Sequence, residues 1–260
     1  MPRVYLTVAY DGTAYHGSAL QEHEPETIEA YLNRAVKAAT GEDSPVIGAS
    51  RTDAGVHARG AVFVFDTKSS IPPDRFIYVL NHLLPDDIRI RESREVPSDF
   101  HPRKQTCEKT YMYRVLNSEA EDPTRRLYTW HMPRTLDTDK MREAAGFLVG
   151  EHDFTSFCAT ASTAPDRVRT ITALDVERHG DEIIITVTGN GFLYNMVRII
   201  TGTLVQIGWG WREPDAMKDI LEGRDRALAG ATAPPQGLLL VGYRYLNCEI
   251  PTKPEIQPPR

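Results

Sequence analysis

The sequence predicts an α+β fold made of two related halves, each an antiparallel sheet backed by helices. Three observations lead to this prediction. Residues 3–10 alternate between two faces, as a half-buried strand does. Residues 28–39 instead repeat apolar side chains at the helical period and end before Gly41, a typical helix stop. The order strand, helix, strands, helix, strand then occurs once in each half of the 260 residues.

The remaining elements follow from the same two periods and from the turn residues between them. Short apolar or alternating runs predict further strands at 45–49, 60–65, 88–96, 110–116, 168–178, 183–188 and 238–246. Apolar stripes at helical spacing predict further helices at 74–84, 139–148, 191–207 and 214–221. We expect an N-terminal domain over 1–105, a C-terminal domain over 106–247 and a disordered, Pro-rich tail over 248–260.

The composition is that of a globular protein without a membrane or disulfide signature. Hydrophobic residues make up 41% and charged residues 25%, and the longest apolar stretch is interrupted by Asn195, Arg198 and Gln206. The start of the sequence lacks the apolar core of a signal peptide, and the three cysteines show no paired spacing. We therefore expect a cytoplasmic protein with neither a disulfide framework nor a zinc site.

The charge balance argues weakly against nucleic acid as a partner. The chain has 30 Lys and Arg against 36 Asp and Glu, which gives a formal net charge of −6. Compact domains that bind nucleic acid are more often basic. A single basic cleft is nevertheless compatible with an acidic remainder, so the distribution of charge matters more than its sum.

The densest polar cluster between apolar runs is SRTDAGVHA, residues 50–58. Gly55 allows a sharp turn close to a ligand, and Arg51 lies two residues from Asp53, where a guanidinium favours a charged carboxylate. A lone ionised carboxylate suits nucleophilic chemistry better than general-acid chemistry. On physical grounds alone, a turn with a surface ion pair explains the cluster slightly better. His57 has no metal-ligand spacing with other histidines, and we predict no metal site.

Two further clusters combine positive charge with aromatic or apolar residues. Residues 100–104 and 109–114 interleave Lys and Arg with aromatic side chains, a combination that suits nucleic acid. On its own, however, an amphipathic strand packed on the core explains this pattern better. In the third cluster, Arg198 is the cation within an apolar helix. It either extends to the surface or pairs with a buried acid, for which Asp53 is the candidate of interest.

Taken together, these motifs resemble those of the TruA family of tRNA pseudouridine synthases. The resemblance runs from Tyr10 to about Leu246, and the ordered set is specific although each motif alone is weak. The motifs are YDGTAYHG, SRTDAGVHA, NHLLPDDI, FHPRK, KTYMYR, GEHDFTSFC, VRTI, GNGFLYNMVRIITGTL and APPQGLLL. The chain departs from the family pattern at residues 18–20, which are Ser-Ala-Leu where Trp-Gln is usual, and at Ser50, where glycine is usual.

The resemblance implies roles for particular residues. It makes Asp53 the catalytic aspartate and Arg198 the cation that pairs with it. Tyr111 corresponds to the tyrosine that stacks on the target base, and Arg51 to an arginine that contacts the RNA. The segment from Phe192 to Arg198, together with Gly237 and Leu238, is expected to line the base pocket, and Arg103 is expected to contact the substrate.

The resemblance also implies an activity and an architecture. Members of the family isomerise uridine to pseudouridine at positions 38 to 40, in the anticodon stem-loop of tRNA. They do so without metal or cofactor, as homodimers in which both subunits contact one tRNA. The implied fold places the sheets of the two α+β halves across a central basic cleft that binds RNA.

In this family interpretation, ionised Asp53 starts the reaction by one of two routes. It either attacks C1′ of the uridine or removes the 2′ proton to give a glycal. Two rival hypotheses stand beside this one. A non-catalytic RNA-binding protein on the same scaffold would have no need of the acid. A glycosidase or nucleosidase normally uses a second carboxylate, and none accompanies Asp53 in the matched motifs.

Overall fold

The structure, a computed structural model, describes residues 1–247, and the predicted tail over 248–260 lies outside the described residues. The strands are β1 (Arg3–Tyr10), β2 (Ile47–Gly48), β3 (His57–Asp66), β4 (Ile88–Val96), β5 (Cys107–Leu116), β6 (Trp130–His131), β7 (Gly150–Asp153), β8 (Val168–His179), β9 (Glu182–Gly189) and β10 (Leu238–Tyr245). The α-helices are α1 (Ile28–Thr40), α2 (Phe76–Leu83), α3 (Thr138–Gly146), α4 (Met196–Gly208) and α5 (Ala216–Gly223).

The predicted α+β class is confirmed, and the sheets of the two halves are joined edge to edge. The strand order is β4-β1-β3-β10-β5-β9-β8-β7, with β2 beside β3 and β6 beside β5. Strand β10 pairs in parallel with β3 and antiparallel with β5. Gly60 allows this approach, because a Cβ there would lie 2.5 Å from the Val241 carbonyl oxygen. The two expected sheets are thus parts of one continuous sheet, and the domain boundary at 105–106, between β4 and β5, stays a prediction.

Alternation along the strands divides the core between the two faces of the sheet. In β1, Val4, Leu6 and Val8 are fully buried in the main core, which also contains the apolar side chains of the helices. Tyr5 packs in a smaller cluster that draws on the alternate residues of the strands. This is the division that the alternation predicts. Tyr111 of β5 belongs to the main core, so its side chain lies on the face of the sheet that carries the helices.

Several elements differ from their predicted bounds for local reasons. Residues 191–195 precede α4 instead of forming its first turn, because Asn195 has a φ of 60° and therefore interrupts a right-handed helix. The helix predicted at 74–84 is divided into a 3₁₀ turn, Pro73–Arg75, and α2. The short strands β6 and β7 were not predicted, because runs of 2 and 4 residues are too brief to display a period.

Helix α4 is held against the segment 229–233 by direct backbone contact. A Cβ on Gly202 would lie 1.8 Å from the Ala231 carbonyl oxygen. The Gly230 N–H donates to Thr203 Oγ1 at 2.9 Å, which fixes the same segment along the helix. Although α4 is buried along most of its length, no helix within residues 1–247 combines the length and apolar character that a bilayer crossing requires.

Gly202→Ala is expected to lower the free energy of unfolding by about 3 kcal/mol, because the added methyl group overlaps a backbone oxygen. The matched control is Gly146→Ala at the exposed end of α3, where nothing lies within 4 Å of the new methyl group. That variant should be neutral or more stable by less than about 1 kcal/mol. Urea denaturation of both variants measures the difference. Equal unfolding midpoints would contradict the proposed close contact.

Candidate active site

The segment 50–56, here called the Asp53 loop, leads into β3 through a tight turn. The Val56 N–H donates to the Asp53 carbonyl oxygen at 3.2 Å, and Gly55 within the turn has a φ of 76°. Glycine adopts that conformation without strain. The Asp53 side chain lines a pocket and is 30% exposed, so it is accessible to a ligand.

The loop that follows β1 supports the Asp53 loop through Thr52. The Ser18 N–H donates to the Thr52 carbonyl oxygen at 3.1 Å, and the Thr52 N–H donates to Ser18 Oγ at 2.8 Å. The hydroxyl groups of Tyr10 and Thr52 share a hydrogen bond of 2.8 Å. Gly17 has a φ of 99°, and a Cβ there would lie 2.8 Å from the Thr52 oxygen. Ser18, a departure from the family pattern, therefore supports the loop, a role that the sequence analysis missed.

Arg198, on the first turn of α4, meets Asp53 inside the protein. Its Nη1 lies 3.1 Å from Asp53 Oδ2 and donates to Asn195 Oδ1 at 2.8 Å, while its Nε donates to the Ala233 carbonyl oxygen at 2.8 Å. The Arg198 side chain is only 15% exposed. Of the two outcomes that the sequence left open for Arg198, the structure contains the ion pair. Asn195 lies in the segment expected to line the base pocket, but its contact with Arg198 was not predicted. Asparagine tolerates the left-handed conformation that Asn195 adopts.

Tyr111 forms a buried wall of the same pocket. Its ring meets that of Phe192 edge to face, with centroids 5.3 Å apart and planes at 88°. Burial raises the pKa of Tyr111 to about 12, and the charge of Asp53 acts in the same direction, whereas a hydrogen bond with Ser50 opposes it. The phenol is therefore protonated and neutral at physiological pH.

The pocket has a volume of about 540 Å³, within the range of small-molecule sites. Residues from both halves of the chain form its lining. Most of the residues that the sequence analysis expected at the site are in it, namely Arg51, Asp53, Tyr111, the segment from Phe192 to Arg198, and Leu238.

Two of the expected contacts are not part of this lining. Arg103 is exposed, and its Nε donates to the Gly48 carbonyl oxygen at 2.7 Å. Gly237 is buried beside Tyr113, where a Cβ would lie 2.6 Å from the ring. The structure therefore gives Gly237 a packing reason that is separate from substrate contact.

The charged side chains in the lining make the pocket locally positive. Arg51, Lys109 and Arg198 are cations, and Asp53 is the one carboxylate among the described lining residues. This contrasts with the formal charge of −6 for the whole chain. A positive pocket attracts anionic ligands even when the rest of the surface is acidic.

His57, the first residue of β3, connects the Asp53 loop to three other segments. The Gly12 N–H donates to its Nδ1 at 3.0 Å. Its Nε2 lies 3.0 Å from the Leu127 carbonyl oxygen and 3.1 Å from that of Gln236, so Nε2 carries the proton. Both ring nitrogens are thus engaged, Nε2 by two backbone carbonyl groups and Nδ1 by the Gly12 N–H, with Asp11 Oδ1 also 3.1 Å from Nδ1. No group of three His, Cys, Asp or Glu side chains in residues 1–247 is placed to hold a metal ion.

His57→Ala is expected to lower the free energy of unfolding by about 2 kcal/mol, because it leaves a buried N–H and two carbonyl groups without their partner. His179→Ala is the control, since that side chain is 58% exposed on the hairpin between β8 and β9. The control should change stability by less than about 0.5 kcal/mol. Denaturant titration measures the free energy of unfolding of both variants. Equal losses of stability would show that the His57 contacts do not stabilise the fold.

Comparisons with known proteins cover nearly the whole chain. A family model described as tRNA pseudouridine synthase matches residues 6–103 and 144–246. The chain is 48% identical over 240 residues to tRNA pseudouridine synthase A of Brevibacillus brevis, across 92% of this chain and 98% of that protein. It is 46% identical over 245 residues to the protein of the same name from Acetivibrio thermocellus, across 94% and 100% of the two chains.

A crystal structure of the archaeal box H/ACA sRNP Nop10–Cbf5 complex aligns with 79% of this chain and 43% of that one. Its sequence identity of 11% and TM-score of 0.39 are too low to support an argument. The match to the family model, in contrast, includes both members of the ion pair. Asp53 lies in its first matched segment and Arg198 in its second. With most of its length matched in this way, and with relatives nearly half identical to it, the chain belongs to the tRNA pseudouridine synthase family.

Proposed function

We propose that this protein isomerises uridine to pseudouridine in the anticodon stem-loop of tRNA, at position 38, 39 or 40, with Asp53 as the catalytic residue. The family it belongs to acts on uridine in tRNA. The observation that carries the proposal for Asp53 is its ion pair with Arg198, at 3.1 Å, in a pocket that Tyr111 also lines. The anticodon positions rest on the resemblance of the sequence motifs.

The reaction replaces the N1–C1′ bond of uridine by a C5–C1′ bond. If Asp53 attacks C1′, the bonding electrons leave with N1 of the uracil and an ester forms, and C5 of the reoriented base then displaces the carboxylate. If Asp53 removes the 2′ proton, the same bond breaks to give a glycal. C5 then adds to C1′ and a proton returns to C2′. In both routes C5 loses its proton and N1 gains one, so the step consumes neither water nor an oxidant.

Both routes need a charged carboxylate that is already in place. Arg198 supplies a fixed positive charge beside Asp53, and its bonds to Asn195 and Ala233 hold the guanidinium in place. Preorganised charge of this kind avoids the cost of reorienting solvent during the reaction. Arg198 therefore acts on the reaction through Asp53.

Tyr111 and the cations of the site serve the extruded base and its backbone. A neutral phenol ring provides a flat surface against which uracil stacks. Removing the target nucleotide from its own stack costs a few kcal/mol, and contacts with the RNA must offset that cost. We assign this task to Arg51 at the pocket and to Arg103 outside it, as phosphate contacts. We also propose that the protein acts on cytoplasmic tRNA as a homodimer, as the family resemblance implies.

The proposed activity is tested with anticodon stem-loops that carry a C5-tritiated uridine at only one of the positions 38, 39 and 40. Isomerisation releases the C5 proton, so the wild-type protein should release tritium from at least one of the three RNAs. Mass spectrometry of the digested product should find pseudouridine at the labelled position. Binding of all three RNAs without release from any would contradict the proposal and favour a non-catalytic RNA-binding protein.

Arg198→Lys is expected to lower the single-turnover rate by about a hundredfold or more, because a lysine ammonium cannot contact Asp53, Asn195 and Ala233 together. The affinity for the stem-loop should change only a few fold. Arg142→Lys on α3, an exposed position outside the pocket, is the control and should keep the full rate. A rate near that of the wild type for Arg198→Lys would remove the fixed guanidinium from the mechanism.

A further inference from the structure

Lys109 is a pocket residue to which the proposed mechanism assigns no task. It lies on β5, two residues before Tyr111, and lines the same cavity as Asp53. Alternate residues of a strand point to the same face, so Lys109 and Tyr111 project to the same side of the sheet. The Lys109 side chain is half-buried, and its Nζ lies 5.7 Å from the centre of the Tyr243 ring.

The surroundings of Lys109 disfavour an unaccompanied ammonium group. Burial lowers the pKa of Lys109, and the guanidinium groups of Arg169 and Arg103 lower it further, whereas Cys107 acts in the opposite direction. No carboxylate of residues 1–247 forms an ion pair with Lys109 or contributes to this shift. A partly dehydrated cation beside two like charges is stabilised when it binds an anion.

The order of side chains along β5 indicates which anion fits. Tyr113 lies near Arg198, Tyr111 is next, and Lys109 follows at the end of the row. Each step of two residues spans about 7 Å. Asp53, which is paired with Arg198, lines the same pocket as Lys109. A uracil stacked on Tyr111 with its ribose at Asp53 keeps the two flanking phosphates, which are bonded to that ribose, next to the pocket that Lys109 also lines.

We propose that Lys109 binds one of the two phosphates that flank the target uridine. The inference rests on the proposed function, because the phosphate reaches the pocket only if a uridine in RNA is the substrate. An ammonium is a compact point charge with three donors, which suits a phosphate oxygen. The contact holds the backbone of the extruded nucleotide while the base is detached, so Lys109 is a positioning residue.

The test pairs a protein variant with an RNA variant. Stem-loops carry an uncharged methylphosphonate in place of the phosphate on the 5′ or the 3′ side of the target uridine. Wild-type protein should bind one of these RNAs about tenfold more weakly than the unmodified stem-loop. Lys109→Met should bind that RNA and the unmodified one equally, at the weaker affinity. For Lys109→Met, a plot of the logarithm of the binding constant against the logarithm of the salt concentration should be less steep by about 0.7 to 0.9. This is the change in slope for one lost phosphate contact.

Lys140→Met is the matched control, because Lys140 lies outside the pocket and already pairs with Glu213 at 2.9 Å. It should respond to the methylphosphonates as the wild type does, and Lys109→Arg should restore part of the affinity. If Lys109→Met loses as much affinity as the wild type at both modified linkages, the inference is overturned.

Tritium release by the wild-type protein, measured on the unmodified stem-loop, separates this inference from the proposed function. If tritium is released but Lys109→Met and the methylphosphonates lower the affinity additively, only the role of Lys109 is overturned. If the protein binds the stem-loop but releases no tritium, the proposed function is overturned. In that case the affinities of wild type and Lys109→Met for the methylphosphonate RNAs still show whether Lys109 contacts the phosphate. A wild-type protein that binds none of the RNAs overturns both.

Discussion

The ion pair between Asp53 and Arg198 joins positions 145 residues apart, and much of the surrounding structure serves to hold it. Removing a carboxylate and a guanidinium from water costs free energy, which their attraction offsets only when the remaining hydrogen-bonding groups are also satisfied. Arg198 meets this condition through Asn195 and Ala233. Because Arg198 is itself held by Asn195 and Ala233, the pocket is organised around a fixed carboxylate.

Residues of neighbouring segments support the pair on both sides. Thr52, adjacent to Asp53, is held by Ser18 and Tyr10, and His57 fastens the other end of the loop through backbone groups. On the Arg198 side, Gly202 brings α4 into contact with the segment that carries Ala233. The described pocket lining contains three cations, Arg51, Lys109 and Arg198, and one carboxylate, Asp53, so an acidic chain presents a positive pocket.

Local patterns in the sequence predicted most of the fold, and contacts between distant segments account for what was missed. The alternation in β1 and the helical stripe of α1 are properties of short segments, and both elements were predicted within one or two residues. The sequence cannot show that β10 lies between β3 and β5, because the close approach at Gly60 depends on a segment about 180 residues away.

In the candidate site, too, some residues could be predicted from the sequence and others could not. The motif resemblance selected Asp53, Tyr111 and Arg198, which line one pocket, but it included Arg103, which does not line it. At Ser18 the sequence showed only a departure from the family pattern, because its supporting role comes from its bonds to Thr52.

The central claim is that the Asp53 carboxylate starts the isomerisation. Its most direct test is the single-turnover rate of pseudouridine formation by Asp53→Asn, a variant of nearly the same shape without the negative charge. We expect no measurable product, with stem-loop affinity within a few fold of the wild type, while Asp74→Asn on the exposed surface keeps the full rate. Pseudouridine formation by Asp53→Asn at a rate near that of the wild type would contradict the account.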